Sequence, residues 1–84
     1  MKIVFVLSLN RRHFDGWARE IAKIFPIKRE YPGGFEAGDG RFICVDSIDK
    51  VRGYRADRII ETARFYEHKD SDEIRKYAKM NCST

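Results

Sequence analysis

The stretch 41-RFICVDSIDKVRGYRADRII-60 decides the fold expected of this chain. It contains two apolar segments, 42–45 and 59–60, separated by a polar turn around Gly53. Ser47 can cap a single helical turn over 48–52, and Gly53 can end that turn because glycine adopts the left-handed conformation without strain. We therefore predict a buried strand before the turn and a second strand, 58–62, after it.

Residues 1–26 add a strand and a helix to this unit. The run 3–7 is apolar at every position, which is typical of a strand covered on both faces. Asn10 can cap a following helix, in which apolar residues recur at three- and four-residue steps and form one stripe (Phe14, Trp17, Ala18, Ile21, Ile24 and Phe25). Pro26 disfavours a helical conformation for the residue before it, so we predict an amphipathic helix over 11–25.

The remaining segments are shorter. We predict a strand over 27–31, a glycine-rich turn or hairpin loop over 35–40, and a C-terminal helix. Asp70 and Glu73 resemble a capping box at the start of that helix, and Ile74, Tyr77 and Ala78 form its apolar face. Residues 56–68 fit both a helical stripe and a strand. Together these elements predict one α/β domain over 1–84: a small sheet with a central parallel pair, one long amphipathic helix and a short C-terminal helix.

Charge and composition narrow the classes of partner. The chain has a net charge of +4, and residues 1–30 carry seven Lys/Arg against three Asp/Glu. This excess favours anionic partners. The apolar run at the start is too short for a signal-peptide core or a bilayer span, so we expect a cytoplasmic protein with no membrane partner. Two cysteines are too few for a metal knuckle, and no cofactor is predicted.

The Arg52-Gly-Tyr-Arg-Ala-Asp57 turn and the apolar strand after it resemble the segment before the Walker B strand in phage terminases and helicase-type ATPases. The similarity covers 41–63, with a looser match of 3–25 to the first strand and helix of such domains. The resemblance favours the strand over the helix at 58–62, and it implies the scaffold of a nucleotide-binding fold in a degenerate P-loop-like phage protein. Only one acid, Glu61, follows the second strand, and 8–14 has neither the glycines nor the lysine of a phosphate-binding loop. No ATP hydrolysis is therefore expected.

The candidate site residues are mostly basic. If the topology is parallel, the ends of the first strand and of the Gly53 turn meet at the carboxyl edge of the sheet, where α/β folds usually bind ligands. We call the expected surface the basic rim, able to hold phosphates and stack on a base; it consists of Arg11, Arg12, Arg52, Tyr54, Arg55 and Arg58. The alternative is that these arginines pair with Asp46, Asp49 and Asp57 and hold the loop. Tyr31 and Phe35, beside a Gly-Gly turn, are candidate partner contacts.

Three functional classes follow. The leading hypothesis is a non-catalytic protein that binds nucleic acid, or a nucleic-acid-processing protein, through the basic rim. The alternative is a protein-interaction module, such as an inhibitor or a homodimeric adaptor, that uses a sheet edge or the 31–40 loop. A metal-dependent nuclease rests only on the carboxylates of Asp46, Asp49 and Glu61.

Overall fold

The computed structural model describes residues 1–83 and shows a small α/β unit with a five-stranded mixed sheet and two α-helices. Two short 3-10 helices, Ile48–Val51 and Phe65–Glu67, lie in the connections. The regular elements in chain order are β1 (Lys2–Leu7), α1 (Arg11–Ala22), β2 (Ile27–Tyr31), β3 (Gly34–Ala37), β4 (Gly40–Val45), β5 (Arg58–Glu61) and α2 (Ser71–Met80).

The strand order is β2-β3-β4-β1-β5, so the first strand of the chain lies inside the sheet. β1 pairs in parallel with β4 and with β5, whereas β2, β3 and β4 form antiparallel pairs. The prediction that 3–7, 42–45 and 58–62 are neighbouring strands of one sheet is confirmed. The strand at Arg58–Glu61 also decides between the two interpretations of 56–68.

Each face of the sheet carries its own apolar cluster because side chains alternate along β1. On one face, here called the α1 face, Val4 and Val6 pack with Phe14 and Ala18 of α1. On the opposite α2 face, the cluster comprises Phe5, Leu7, Ile43, Val45, Val51, Ala56, Phe65, Ile74 and Ala78. A strand covered on both sides must be apolar at nearly every position, which explains the run 3–7.

Helix α1 begins where the sequence predicts and ends earlier. The Asn10 side chain accepts a hydrogen bond from the His13 N–H at 3.0 Å, which confirms the predicted cap. The helix ends at Ala22 and has 12 residues, an ordinary length, so a long helix to residue 25 is not confirmed. Beyond Ala22 the N–H groups of Ile24 and Phe25 both donate to the Ile21 carbonyl oxygen, and Pro26, which has no N–H, cannot continue the helix. Ile24 and Phe25, predicted in the apolar stripe, are 69% and 54% exposed.

The predicted loop over 35–40 is wrong. Residues Gly34–Ala37 form β3, and the reversal before β4 is confined to Gly38 and Asp39, with Gly38 at a φ of +59°. Phe35 and Ala37 alternate onto the α1 face, where both are buried. The glycine density of the segment suggested a loop, but the alternation of apolar residues decides the structure.

His68 links the C-terminal third to the end of β4, in addition to the packing of Ile74 and Ala78. Its Nε2 lies 2.7 Å from the Asp46 carbonyl oxygen, and its Nδ1 accepts a hydrogen bond from the Asp70 N–H at 3.0 Å. The imidazole proton therefore resides on Nε2, which donates to Asp46. The predicted capping box is wrong, since the Asp70 side chain forms no cap hydrogen bond. Ile74 and Ala78 are buried as predicted, whereas Tyr77 is exposed.

Two further observations complete the fold. Gly53 has a φ of +85°, in agreement with its predicted role at the end of the turn, while the Ser47 side chain forms no cap hydrogen bond. Within residues 1–83, neither α-helix combines the length and the apolar character needed to cross a bilayer.

Candidate nucleic-acid interface

The basic rim expected at one edge of the sheet is divided between two edges. Arg11 and Arg12 follow the carboxyl end of β1, whereas Arg58 pairs with Val4 near the amino end of that strand. Because β4 and β5 both run parallel to β1, the segment that links them must return from the carboxyl edge to the amino edge. The prediction of a single rim at the carboxyl edge is therefore wrong.

Arg11 is held by contacts within the protein. Its Nε donates to Asp15 at 2.9 Å, a second nitrogen donates to the Pro32 carbonyl oxygen, and its guanidinium lies over the Phe14 ring at 5.4 Å. The hydrogen bond to Asp15 raises the pKa of the Arg11 guanidinium above its usual value. These contacts join the start of α1 to the β2–β3 turn and indicate a structural role.

The alternative in which aspartates hold the arginines of the Gly53 turn applies to one pair only. Arg52 lies 3.6 Å from Asp49, with both side chains about four-fifths exposed. Asp57 instead accepts a hydrogen bond from the Ile3 N–H at 2.9 Å. Arg55 has no carboxylate within ion-pair distance among residues 1–83.

A different group of residues comes together on the α2 face. The Arg41 guanidinium carbon lies 4.4 Å from the centroid of the Tyr31 ring and 5.8 Å from that of Tyr54. The Arg29 guanidinium carbon lies 5.3 Å from the Tyr31 centroid. We call this group, Arg29, Tyr31, Arg41 and Tyr54, the tyrosine–arginine surface.

The strand register explains why these side chains meet. Arg41 pairs with Glu36 of β3, which in turn pairs with Arg29 of β2, so the three lie in one row across the sheet. Tyr31 lies two residues beyond Arg29 and therefore faces the same side. No residue of β2 or β3 belongs to the core cluster on the α2 face, so this half of the face is left open. The β4–β5 connection supplies Tyr54.

The electrostatics of the surface favour binding of an anion. Among residues 1–83, neither Arg29 nor Arg41 donates a side-chain hydrogen bond or forms an ion pair within 4.0 Å, even though Glu36 lies between them in register. A guanidinium over an aromatic ring is attracted by the ring and keeps its N–H donors for another partner. The rings thus hold two positive groups in place without neutralising them.

Of the two predicted partner contacts, only Tyr31 is accessible. Phe35 is 2% exposed and stacks on Phe42 in the α1-face cluster, with ring centroids 5.0 Å apart. It is therefore a core residue, and its assignment as a contact is wrong. Arg29 and Arg41 were missed in the sequence, although the alternation Arg29-x-Tyr31 in a predicted strand already placed two of the four residues on one face.

The carboxylates considered for a metal do not form a cluster. Both Glu61 oxygens accept hydrogen bonds from Arg75 of α2, at 2.8 and 3.0 Å, and this contact lowers the pKa of Glu61. Asp46 lies 3.7 Å from Lys50, and Asp49 is the partner of Arg52. In the described part of the chain no group of three or more His, Cys, Asp or Glu side chains could hold a metal ion.

Comparison of the chain with protein families, curated proteins and solved structures finds no match. The likeness of 41–63 to terminases and helicase-type ATPases thus stays a prediction from those residues alone.

Proposed function

We propose that this protein binds nucleic acid, without catalysis, through the tyrosine–arginine surface. The observation that supports the proposal is the pair of guanidinium groups, Arg29 and Arg41, both within 5.3 Å of the centroid of the Tyr31 ring and both without a carboxylate partner in residues 1–83. Guanidinium groups bind phosphate oxygens through paired N–H donors, and tyrosine rings offer stacking surfaces for bases.

Further positive charge lies next to the tyrosine–arginine surface in the chain. Arg52 and Arg55 flank Tyr54 in the chain, and both are exposed. The net charge of +4 adds a long-range attraction for polyanions. The strands β2 and β3 offer an open sheet face rather than a projecting helix, and such faces bind unpaired bases by stacking. A single strand is therefore the preferred ligand.

The proposal is tested by fluorescence anisotropy with a labelled single-stranded 20-mer over a range of salt concentrations. If Arg29, Arg41, Arg52 and Arg55 neutralise about four phosphates, the slope of log K against log salt is about −3 for a single strand. Replacing Arg29 and Arg41 with Ala should flatten this slope by about 1.4 and weaken binding. Their side chains make no hydrogen bond or ion pair in residues 1–83, so the melting temperature should change little.

A matched control has the same loss of charge elsewhere. Arg19 of α1 and Lys76 of α2 are exposed and have no ion pair within residues 1–83, so the double variant Arg19→Ala/Lys76→Ala should keep the slope. Tyr31→Phe should bind like the wild type and Tyr31→Leu more weakly, because the Tyr31 ring, and not its hydroxyl, contacts both guanidinium groups. Equal losses in the two double variants, or no binding of any nucleic acid at low salt, would refute the proposal.

A second candidate function, a protein-interaction module, is favoured by an apolar groove on the α1 face. Helix α1 ends before it covers the amino edge of the sheet, and a groove of about 250 Å³ opens there. Val4, Phe42 and Ile60 line it together with Phe25, which is 54% exposed. Sedimentation of the wild type and of Phe25→Ser separates this function from the first: a dimer lost in the variant would support it.

The setting of either function follows from the sequence resemblance. The Arg-Gly turn and the strand after it support a role beside the packaging or replication machinery of a phage, in the cytoplasm of its host. Binding to a protein of that machinery, in place of nucleic acid, would appear as retention of the partner but loss of strand binding in nuclease-treated samples.

A further inference from the structure

A second surface, separate from the tyrosine–arginine surface, lies on the α1 face at the carboxyl edge of the sheet. A groove of about 390 Å³ opens there between α1 and the residues that follow β5. We call it the α1–β5 groove; Arg12, His13, Gly16, Trp17, Glu20 and Ala63 line it. Its two ends differ in charge, and its middle is apolar, so its shape and chemistry together restrict the ligand.

The cationic end has a guanidinium available for an anion. Arg12 is exposed and forms no hydrogen bond or ion pair within residues 1–83, and His13 lies next to it on the groove wall. The backbone N–H of His13 is already bound to Asn10, so the end of the helix is capped and side chains must supply the donors. The neighbouring carboxylate of Glu67 is neutralised by two hydrogen bonds from Arg64.

The middle of the groove is suited to a flat ring. Trp17 supplies a half-buried indole, and Gly16 leaves the helix surface without a side chain. A Cβ built on Gly16 would meet only the end of the Arg19 side chain, at 4.0 Å, so no packing inside the protein requires a glycine there. The glycine therefore leaves the helix surface bare beside the indole, where a planar ligand can lie.

The far end carries a carboxylate. Glu20 is exposed and lies 3.0 Å from Lys23, and its remaining lone pairs can accept a hydrogen bond from an amino group. Arg12 and Glu20 are eight residues apart on one helix, which is about 12 Å along its axis. An anion at one end, a planar ring in the middle and an amino group at the other end describe a nucleoside monophosphate.

We propose that the α1–β5 groove binds a nucleoside monophosphate unit, with its phosphate at Arg12 and His13 and its base against Trp17 over Gly16. The unit can be a free nucleotide or the 5′-phosphorylated end of a strand, since both present the same chemistry. The site is independent of the tyrosine–arginine surface, which lies on the opposite face of the sheet.

The test uses the full chain and adenosine monophosphate (AMP) as the probe. Trp17 is the only tryptophan, so its fluorescence reports on this groove alone, and amide chemical shifts of Gly16 and His13 give a second signal. We expect AMP to quench the fluorescence and shift both amides. Adenosine should bind about tenfold more weakly or worse, because charge-assisted hydrogen bonds to the phosphate are lost.

Two variants make the test decisive. Gly16→Ala should raise the melting temperature by about 4–8 °C, since alanine favours the helix, and yet weaken AMP binding, because its methyl group would occupy the place of the base. Arg12→Ala should weaken AMP binding about tenfold, whereas Lys76→Ala, which removes an exposed charge of α2 away from the groove, should not. Arg29→Ala/Arg41→Ala should keep AMP binding, so failure of one surface is distinguished from failure of the other.

The source of the ligand is decided by comparing AMP with a short oligonucleotide, with and without a 5′-phosphate. Tighter binding of AMP at Trp17 assigns the groove to free nucleotides, and tighter binding of the phosphorylated strand assigns it to strand ends. Absence of quenching and of amide shifts at millimolar AMP would overturn the proposal. So would a Gly16→Ala variant that binds AMP as well as the wild type.

Discussion

Substitution by alanine should strongly destabilise the protein at Gly34 and change its stability little at the adjacent Gly33. A Cβ at Gly34 would lie inside the contact distance of the Phe42 carbonyl oxygen, 2.9 Å from its carbon and 3.2 Å from the Ile43 Cα. A Cβ at Gly33 would have nothing within 4 Å. Because the atoms that crowd Gly34 are backbone, no change of side-chain rotamer can relieve the contact.

The loss of stability in Gly34→Ala comes from the contacts between β3 and β4 that the added methyl group would break. Ordinary contact between carbon atoms is at about 3.5–4.0 Å, so β3 has to move away from β4. The move weakens the β3–β4 pairing beside Gly34 and the stacked Phe35–Phe42 pair. At about 1 kcal/mol for each of two or three hydrogen bonds and about 0.5–1.5 kcal/mol for the ring pair, the loss is about 2.5–4.5 kcal/mol.

That loss is large for a domain of this size. At about 0.05–0.15 kcal/mol per residue, the whole chain has about 4–13 kcal/mol of stability. We expect the melting temperature of Gly34→Ala, followed by circular dichroism, to fall by at least about 10 °C, or the variant to be unfolded. Gly33→Ala should stay within about 1 kcal/mol of the wild type. A Gly34→Ala protein that melts like the wild type would refute the close approach of the two strands.

Two other perturbations test how the helices are attached. Trp17 packs between Phe14 and Phe42, but its indole is only half-buried. Trp17→Ala should therefore lower the free energy of unfolding by about 3 kcal/mol, the low end for a buried tryptophan. An unchanged thermal midpoint would show that the indole contributes little to the core. The lowered pKa of Glu61 means that its pair with Arg75 stabilises the folded state above the ordinary value of 4.5, and that this contribution is lost as the pH falls through the lowered pKa. The free energy of unfolding, measured by denaturation, should therefore fall less between pH 7 and pH 3 in Glu61→Gln than in the wild type. The difference should be no more than about 1 kcal/mol because the pair is partly exposed. Equal falls in both proteins would contradict this role.

The central strands could be predicted from the sequence because a strand buried on both faces is a continuous apolar run. Residues 3–7 and 42–45 are apolar whichever face they point to, and a connection between parallel strands must cross from one edge to the other. The same rule, applied to the Gly53 turn, would have placed Arg55 and Arg58 toward the amino edge. The prediction of a single rim was wrong because it placed all three arginines of the turn at the carboxyl edge, where β4 ends. Since β5 runs parallel to β4, the end of this segment must instead lie at the amino edge.

The tyrosine–arginine surface could not be predicted as a unit. Its residues come from β2, β4 and the β4–β5 connection, and the order β2-β3-β4 in space is what brings Tyr31 close to Tyr54. The error at 35–40 had the same origin. With β3 interpreted as a loop, neither the burial of Phe35 nor the pairing of Arg29 and Arg41 with Glu36 could be anticipated.

The inner position of β1 also constrains how the chain reaches its native state. Lys2 pairs with Gly40 and Val4 pairs with Arg58, so both neighbours of β1 come from much later in the chain. During synthesis, the apolar segment 3–7 leaves the ribosome before either partner strand exists. One of its edges can pair once residue 45 has followed, and the other only after residue 61. The helix α1 and the β2–β3 hairpin can form locally in that interval, but the sheet cannot close. Such long-range pairing slows folding and makes β1 the segment most exposed to aggregation before the sheet closes.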